Sequence, residues 1–135
     1  MSFISEQSRN DLVQNAINAQ KSAYAPYSNY NVGAALLTKS GKIYFGCNVE
    51  NAAYPLCCCA ERTAIANAVC AGERDFVAIA VVTKNAGAPC GGCRQVLNEF
   101  NSEMLIIMAD EKGEISHEET LDKLLPLSFG PSSLK

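Results

Sequence analysis

Hydrophobic and polar positions in the first third of the chain follow a helical period and then a strand period. Apolar residues recur every three or four positions over residues 8–24, which predicts an amphipathic helix that begins with a capping box at residue 8 and stops before Pro26. Apolar and polar residues then alternate over residues 30–38, and Ser40-Gly41 leads into residues 42–48. This arrangement predicts a β-hairpin.

The rest of the chain alternates helical segments with short apolar runs. Helices are predicted over the Ala-rich residues 59–71, which end at Gly72, and over residues 91–100. Residues 76–82 and 104–109 are continuous apolar runs, as expected for strands that are covered on both faces.

The order of these elements indicates a fold class. It runs helix, two strands, then helix and strand twice, with a short terminal helix marked by Leu121, Leu124 and Leu125. Helices between the later strands imply right-handed crossovers and a layered α/β sheet. With 135 residues, 48% of them hydrophobic, the chain is expected to be one domain, residues 1–135.

Charge and composition narrow the possible partners. The 11 basic and 14 acidic residues give a net charge of −3 without a basic run, which argues against binding to long nucleic acid. Residues 1–9 do not resemble a signal peptide and there is no stretch of about 18 apolar residues, so a cytoplasmic protein without membrane contact is expected. Seven cysteines are then expected to be thiols or metal ligands.

The cysteines are spaced for a metal site. Cys90 and Cys93 are three residues apart at the start of a predicted helix, where two sulfurs lie on one side of the first turn. The run Cys57-Cys58-Cys59 offers a third sulfur at the start of the preceding helix. Three protein ligands would leave one position of a tetrahedral zinc ion for water.

The residues near these cysteines suggest hydrolytic chemistry. Helix N-termini favour thiolates, but three thiolates on Zn²⁺ carry a net negative charge, which a nearby cation must offset. Arg62 and Arg94 are the candidates for this cation. Glu61 lies two residues after Cys59 and can act as a general base toward a water in the open position.

Plainer interpretations exist for the same residues. A single CxxC is often a redox pair or half of a structural zinc knuckle. Cysteine also packs as a compact apolar side chain, which is the expected role of Cys47, Cys57, Cys58 and Cys70. His117, the one histidine, is expected at the surface.

Two motifs together resemble a known signature. Cys59-Ala60-Glu61 followed by Pro89-Cys90-Gly91-Gly92-Cys93 is similar to the cysteine version of the zinc deaminase motif, and Cys59 has the matching distance to the glutamate. The resemblance to the small homotetrameric cytidine deaminases covers nearly the whole chain. It is carried further by the segments Ala25-Pro26-Tyr27-Ser28, Val32-Gly33-Ala34-Ala35-Leu36, Asn48-Val49-Glu50-Asn51, Arg62-Thr63-Ala64, Arg94-Gln95 and Leu125-Pro126.

The resemblance implies a fold and an activity. The fold would be a three-layer α/β/α arrangement with a mixed five-stranded sheet. The activity would be zinc-dependent hydrolytic deamination of cytidine and deoxycytidine in pyrimidine salvage, with one Zn²⁺ per subunit. The implied assembly is a homotetramer whose active sites are shared between subunits.

The resemblance also implies roles for single residues. Cys59, Cys90 and Cys93 would hold the metal, and Glu61 would transfer protons. Asn48 and Glu50 would bind the ribose hydroxyls, while Tyr30 stands where the family usually has a phenylalanine that forms a wall of the base pocket. The remaining implied contacts are Phe129 to a neighbouring subunit's base site, Arg62 to the zinc thiolates, and Gln95 as a further partner of the metal site. Separately, the Ala60 backbone at a helix N-terminus is expected to hydrogen-bond the polarised ring of the substrate.

Three other functions stay open at this point. A related enzyme could act on another aminated pyrimidine such as blasticidin S, although Asn48-Val49-Glu50-Asn51 favours a ribose-bearing substrate. A non-catalytic zinc-binding interaction protein would bind metal without hydrolysis. A thiol–disulfide exchange protein would instead form a reducible bond between Cys90 and Cys93.

Overall fold

The computed structural model describes residues 4–135. Four α-helices, five strands and two 3-10 turns follow one another within that range. None of the described helices combines the length and apolar character that a membrane span requires. In chain order the elements are α1 (Glu6–Gln20), β1 (Gly33–Thr38), β2 (Ile43–Cys47), a 3-10 turn (Tyr54–Leu56), α2 (Ala60–Cys70), β3 (Phe76–Val82), α3 (Gly91–Asn98), β4 (Leu105–Ala109), β5 (Ile115–Thr120), α4 (Leu121–Leu124) and a second 3-10 turn (Pro131–Leu134).

The five strands form one mixed sheet in the order β2-β1-β3-β4-β5. Strands β3 and β4 are parallel, and every other neighbouring pair is antiparallel. The predicted mixed five-stranded α/β fold is therefore confirmed. The hydrophobic pattern had indicated only four strands, because β5 is an edge strand whose residues Ser116, His117 and Glu118 are exposed.

Side chains of successive strand residues enter two separate cores. Ala34, Ile79 and Ile106 point to the side covered by α2, α3 and α4. Their neighbours Ala35 and Ala80 belong to the cluster on the opposite side, which α1 covers. The period of two along each strand thus produces three layers, helix, sheet and helices.

Several element boundaries differ from the predictions. Helix α1 begins at Glu6, because the Ser5 side chain caps it by accepting a hydrogen bond from the Ser8 amide at 3.1 Å, so the predicted capping box at residue 8 is wrong. The helix also ends at Gln20, four residues before the predicted end. Strand β1 begins at Gly33 rather than at residue 30, and α3 ends at Asn98.

Helix α2 lies directly on strand β2, and this contact positions its first turn. A Cβ atom at Gly46 would lie 2.5 Å from the Ala64 amide nitrogen and 2.8 Å from the Ala60 carbonyl oxygen. Only glycine allows such close approach of the two backbones. The start of α2, which carries three residues of the predicted site, is therefore held by the backbone of the sheet.

Candidate metal centre and active site

Three cysteines meet where the N-termini of α2 and α3 come together. Cys59 is the N-cap residue of α2 and Cys90 is the N-cap residue of α3, while Cys93 lies in the first turn of α3. Their sulfur atoms all lie within 4.8 Å of one another. The fold therefore brings together the three cysteines that the sequence had singled out.

The geometry and chemistry of this cluster fit a zinc ion. A tetrahedral zinc with sulfur ligands at about 2.3 Å needs sulfur separations of roughly 3.8 Å, which small side-chain adjustments would provide. Cys93 is fully buried, Cys59 is partly buried and Cys90 is exposed, so the cluster opens on one side. Three thiolates with an open side form a site that can hold zinc and still admit a fourth, exchangeable ligand.

Charge around the sulfurs favours a thiolate at Cys59. Hydrogen bonds from the Cys93 thiol and the Arg62 guanidinium lower the pKa of Cys59 to about 5. Hydrogen bonding to Cys59, together with burial, raises the pKa of Cys93, because the Cys93 thiol keeps its proton and donates it to the Cys59 thiolate. A bound metal cation would replace that proton and favour thiolates at both positions.

Of the two candidate cations, Arg62 faces the sulfurs. Its Nη2 donates to the Cys57 carbonyl oxygen at 3.3 Å and to the Cys59 Sγ at 3.6 Å. Arg94 instead donates from Nε to the Pro89 carbonyl oxygen and from Nη1 to the Leu124 carbonyl oxygen, at 2.9 and 2.8 Å. Arg94 therefore fixes the segment before Cys90 against α4.

Glu61 lies in the first turn of α2 and is only 4% exposed. Burial raises the pKa of its carboxyl group, and the negative charge of Cys59 adds to this shift. A carboxyl group whose pKa moves toward neutrality can both accept and release a proton. Its position beside Cys59 and Cys93 places that capacity at the open metal site.

A cavity of about 280 Å³ opens beside the cysteines. Its size suits a small molecule, and its lining combines apolar with hydrogen-bonding side chains. Most of the predicted site residues meet at this cavity, namely Tyr30, Asn48, Glu50, Cys59, Ala60, Glu61 and Cys90.

Asn48 is almost completely buried, and the backbone fixes its orientation. Its Nδ2 donates to the Tyr30 carbonyl oxygen at 2.8 Å, and its Oδ1 accepts from the Val32 amide at 2.9 Å. The side chain thus ties the segment before β1 to the end of β2. One N–H and one oxygen lone pair of the carboxamide stay free for a ligand in the cavity.

Glu50 is held by a part of the chain that the sequence analysis assigned no role. Its Oε1 accepts from the amides of Tyr27 and Ser28 at 3.0 and 3.1 Å, and the Ser28 hydroxyl makes a short hydrogen bond with Oε2. The Ser28 hydroxyl is the main cause that lowers the pKa of Glu50, and the two amides add to it. Only the Ala25-Pro26-Tyr27-Ser28 motif signalled that Ser28 could matter.

Phe129 and Gln95 contact each other outside this cavity. The Phe129 side chain is 61% exposed and does not line the cavity of its own chain. Its carbonyl oxygen accepts from Gln95 Nε2 at 2.8 Å and from Asn98 Nδ2 at 3.2 Å. Gln95 thus anchors the C-terminal segment, and the structure shows no hydrogen bond from this amide to the sulfur cluster in residues 4–135.

The other cysteines have separate surroundings. Cys58 Sγ lies 3.4 Å from the Thr63 Oγ1, and Cys57 Sγ accepts from the Asn51 amide at 3.3 Å. Cys47 is partly buried, which raises the pKa of its thiol, whereas Cys70 is exposed rather than packed. The geometry thus selects Cys59 from the run of three adjacent cysteines. His117 is exposed on β5, as predicted.

Solved structures of cytidine deaminases have the same fold. The crystal structure of cytidine deaminase from Burkholderia pseudomallei superposes with a TM-score of 0.85 at 45% identity, covering 93% of this chain and 100% of that chain. The Mycobacterium tuberculosis cytidine deaminase structure gives a TM-score of 0.81 at 38% identity, covering 94% and 99% of the two chains.

Sequence comparison agrees with the structural one. The chain is 48% identical over 126 residues to the cytidine deaminase of Sporosarcina psychrophila, covering 91% of this chain and 92% of that protein. The family profile for the cytidine and deoxycytidylate deaminase zinc-binding region matches residues 6–109, which contain all three clustered cysteines and Glu61. The chain therefore belongs to the cytidine and deoxycytidylate deaminase family.

Proposed function

We propose that this protein is a zinc-dependent enzyme that hydrolyses cytidine and deoxycytidine to uridine and deoxyuridine with release of ammonia. The observation that carries the proposal is the position of Glu61. Its buried carboxyl group lies beside three clustered sulfurs at the wall of a cavity that is large enough for a pyrimidine ring. A structural zinc site with four protein ligands would have no use for such an arrangement.

Cys59, Cys90 and Cys93 would hold the metal. When bound there, zinc supplies Lewis acidity, which lowers the pKa of a water molecule in the open position toward neutrality. Arg62 offsets part of the negative charge of the thiolates, which would otherwise oppose ionisation of that water.

Glu61 moves both protons of the reaction. Its carboxylate accepts a proton from the attacking water and delivers it to N3 of the cytosine ring as the oxygen bonds to C4. It then takes the second proton from the new hydroxyl group and delivers it to the amine on C4. The C4–N bond breaks, ammonia leaves, and no atom changes its oxidation state.

The remaining cavity residues would orient the nucleoside. Asn48 and Glu50 face the ligand with a carboxamide and a carboxylate, which suit the donor and acceptor atoms of ribose hydroxyls. Ala60 is the first residue of α2, so its amide lacks a helical acceptor and can donate to the polarised ring. The Tyr30 ring would form a wall against the base.

The proposal includes an assembly and a setting. We take residues 1–135 as one domain with one zinc per subunit, in a homotetramer whose subunits share their active sites. The exposed Phe129 ring supports this assembly, because it is free to enter a neighbouring subunit's cavity. A cytoplasmic role in pyrimidine salvage is consistent with seven free cysteines, since a reducing cytoplasm keeps thiols from forming disulfides.

The test is ultraviolet-monitored deamination of cytidine by purified protein, before and after removal of zinc by a chelator. Turnover should disappear without zinc and return when zinc is added. Cys90→Ser should lose metal and activity, while Cys70→Ser, which changes an exposed cysteine at the far end of α2, should keep both. Zinc-loaded protein that turns over blasticidin S but not cytidine, or neither compound, would contradict the proposal.

A further inference from the structure

The segment between β3 and α3 lines the cavity and ends at a metal-site cysteine. This β3–α3 loop, residues 83–90, contributes Thr83, Ala88 and Cys90 to the cavity wall. Within it, Ala86 has a φ of 55°, in the left-handed region. A non-glycine residue adopts this conformation only when surrounding contacts hold it there.

Hydrogen bonds within the loop supply some of these contacts. The Thr83 hydroxyl donates to the Asn85 Oδ1 at 3.2 Å and accepts from the Gly87 amide at 2.7 Å. Thr83 is 3% exposed, so this pair of bonds is shielded from water. The first half of the loop is thereby folded around one buried hydroxyl group.

Tyr30, which also lines the cavity, joins this network from the segment before β1. Its hydroxyl donates to the Asn85 Oδ1 at 2.6 Å, across 55 residues of chain. The Lys84 Nζ lies 5.7 Å from the centroid of the Tyr30 ring, within the range of a cation–π contact. The ring that lines the cavity is thus attached to the loop that leads to Cys90.

Gly87 leaves the space that the tyrosine hydroxyl occupies. A Cβ atom at Gly87 would lie 2.6 Å from the Tyr30 Oη, whereas its next neighbours, the Thr83 Oγ1 and the Asn85 Oδ1, would be 3.5 and 3.6 Å away. The absence of a side chain at residue 87 is therefore matched to one atom, the hydroxyl oxygen of Tyr30.

We propose that the hydroxyl of Tyr30, held by Asn85 and accommodated by Gly87, positions the β3–α3 loop against the cavity and thereby sets the affinity for the substrate base. Tyr30 acts through its ring as a wall and through its hydroxyl as a positioning group. Asn85 and Gly87 are positioning residues that do not need to touch the substrate. The inference rests on the proposed deaminase function, but the contacts themselves can be tested without it.

The first experiment is a double-mutant cycle with Tyr30→Phe and Asn85→Ala in the zinc-loaded protein. Tyr30→Phe should raise the KM for cytidine about threefold to tenfold, the range expected for one lost hydrogen bond, while kcat changes by less than about twofold. Asn85→Ala should raise KM by at least as much, because it also removes the bond from the Thr83 hydroxyl. The double variant should resemble the more affected single variant, because both changes remove the same bond. Tyr44→Phe is the matched control, since Tyr44 packs beside the core on β2, away from the cavity, and should leave KM unchanged.

The second experiment uses the space at Gly87. Gly87→Ala in the wild-type background should raise KM, because the new methyl group displaces the Tyr30 hydroxyl. In the Tyr30→Phe background the same change should have no further effect on KM, because the clashing oxygen is gone. The proposal would be overturned if, in either cycle, the fold-increase in KM of the double variant equalled the product of the two single increases. It would also be overturned if Tyr30→Phe kept the wild-type KM.

Hydrogen–deuterium exchange of the zinc-loaded protein without substrate separates this proposal from the proposed function. Exchange in residues 83–90 should be faster in Tyr30→Phe than in Tyr44→Phe, including at the Gly87 amide. Absence of cytidine turnover by the wild-type protein would refute the deaminase assignment. The exchange comparison would still test whether the Tyr30 hydroxyl holds the β3–α3 loop. Equal exchange rates in the two variants would refute the positioning role of the hydroxyl.

Discussion

Arg62 reaches back along the first turn of α2, so that its Nη2 lies 3.6 Å from the Sγ of Cys59, the residue that caps the helix. The guanidinium and the helix N-terminus therefore act on the same sulfur. Both favour the thiolate, which is the form that binds a metal. Metal binding at this cluster should thus depend on Arg62 even though arginine cannot be a ligand.

Replacing Arg62 should make the metal site more sensitive to acid. Protons compete with zinc for thiolates, and Arg62 lowers the pKa of Cys59, so Arg62→Gln should raise that pKa. The midpoint pH at which zinc is released should then move upward, as measured with a chromophoric chelator during acid titration. Arg74→Gln is the matched control, because Arg74 donates to the carbonyl oxygens of Val69, in the last turn of α2, and Glu73, beyond its C-terminal end. Equal midpoints for both variants would contradict the role of Arg62.

Glu61→Gln should separate metal binding from catalysis. The amide has nearly the same shape as the carboxyl group but cannot transfer protons, so kcat should fall by about 10² to 10⁴ or more. Zinc content, measured by atomic absorption, should stay at the wild-type level because the three sulfurs are unchanged. Near-normal turnover in this variant would remove Glu61 from the mechanism. Glu99→Gln, an exposed glutamate after α3, should leave both quantities unchanged.

Glu61 should also affect the pH dependence of stability in the metal-free protein. Its pKa in the folded state is raised above the ordinary value of 4.5, so the folded protein binds this proton more tightly than the unfolded chain does. The protonated form of Glu61 contributes stability that is fully present below about pH 4.5 and is lost as the pH rises through the folded-state pKa. The glutamine in Glu61→Gln cannot ionise, so this variant does not lose that stability. The difference between its thermal unfolding midpoint and that of the wild type should therefore grow in favour of the variant as the pH rises. A constant difference across the titration would contradict the buried-carboxylate explanation.

Ser28 should control how well Glu50 binds a nucleoside. The Ser28 hydroxyl forms a hydrogen bond with one carboxylate oxygen of Glu50, and this bond contributes most to the lowered pKa of Glu50. Ser28→Ala should raise the KM for cytidine several-fold, with a smaller change in kcat, since Glu50 is proposed to bind the sugar and not the reacting atoms. Ser22→Ala alters an exposed serine at the end of α1 and should leave KM unchanged in the same steady-state assay. A larger loss in kcat than in KM would indicate a different role for Glu50.

Gly46→Ala should destabilise the protein through a backbone clash. The added Cβ would lie 2.5 Å from the Ala64 amide nitrogen, so α2 must move away from β2 at a cost of about 1–3 kcal/mol or more. Chemical denaturation would measure this loss. Gly91→Ala is the control, because its Cβ would meet no atom within 4 Å and alanine is favoured in a helix. Equal free energies of unfolding for the two variants would show that α2 tolerates the shift.

Much of the fold followed from local patterns in the sequence. The apolar runs at residues 76–82 and 104–109 predicted the two buried parallel strands, because strands covered on both faces need apolar side chains at every position. Edge strand β5 lacks this signal, since three of its residues face water. The start of α1 was misplaced because Ser5 and Ser8 are both plausible caps, and only the backbone geometry distinguishes them.

The sequence alone predicted the chemistry that we propose for the site, because cysteine spacing and the nearby glutamate are local properties of two helix starts. It did not determine which cation faces the sulfurs. Arg62 and Arg94 occupy similar places in their helices, but packing turns one toward Cys59 and the other toward α4. The bond between Tyr30 and Asn85 spans 55 residues and likewise has no local signal. Such contacts depend on how the sheet and helices pack, and only the tertiary structure could decide them.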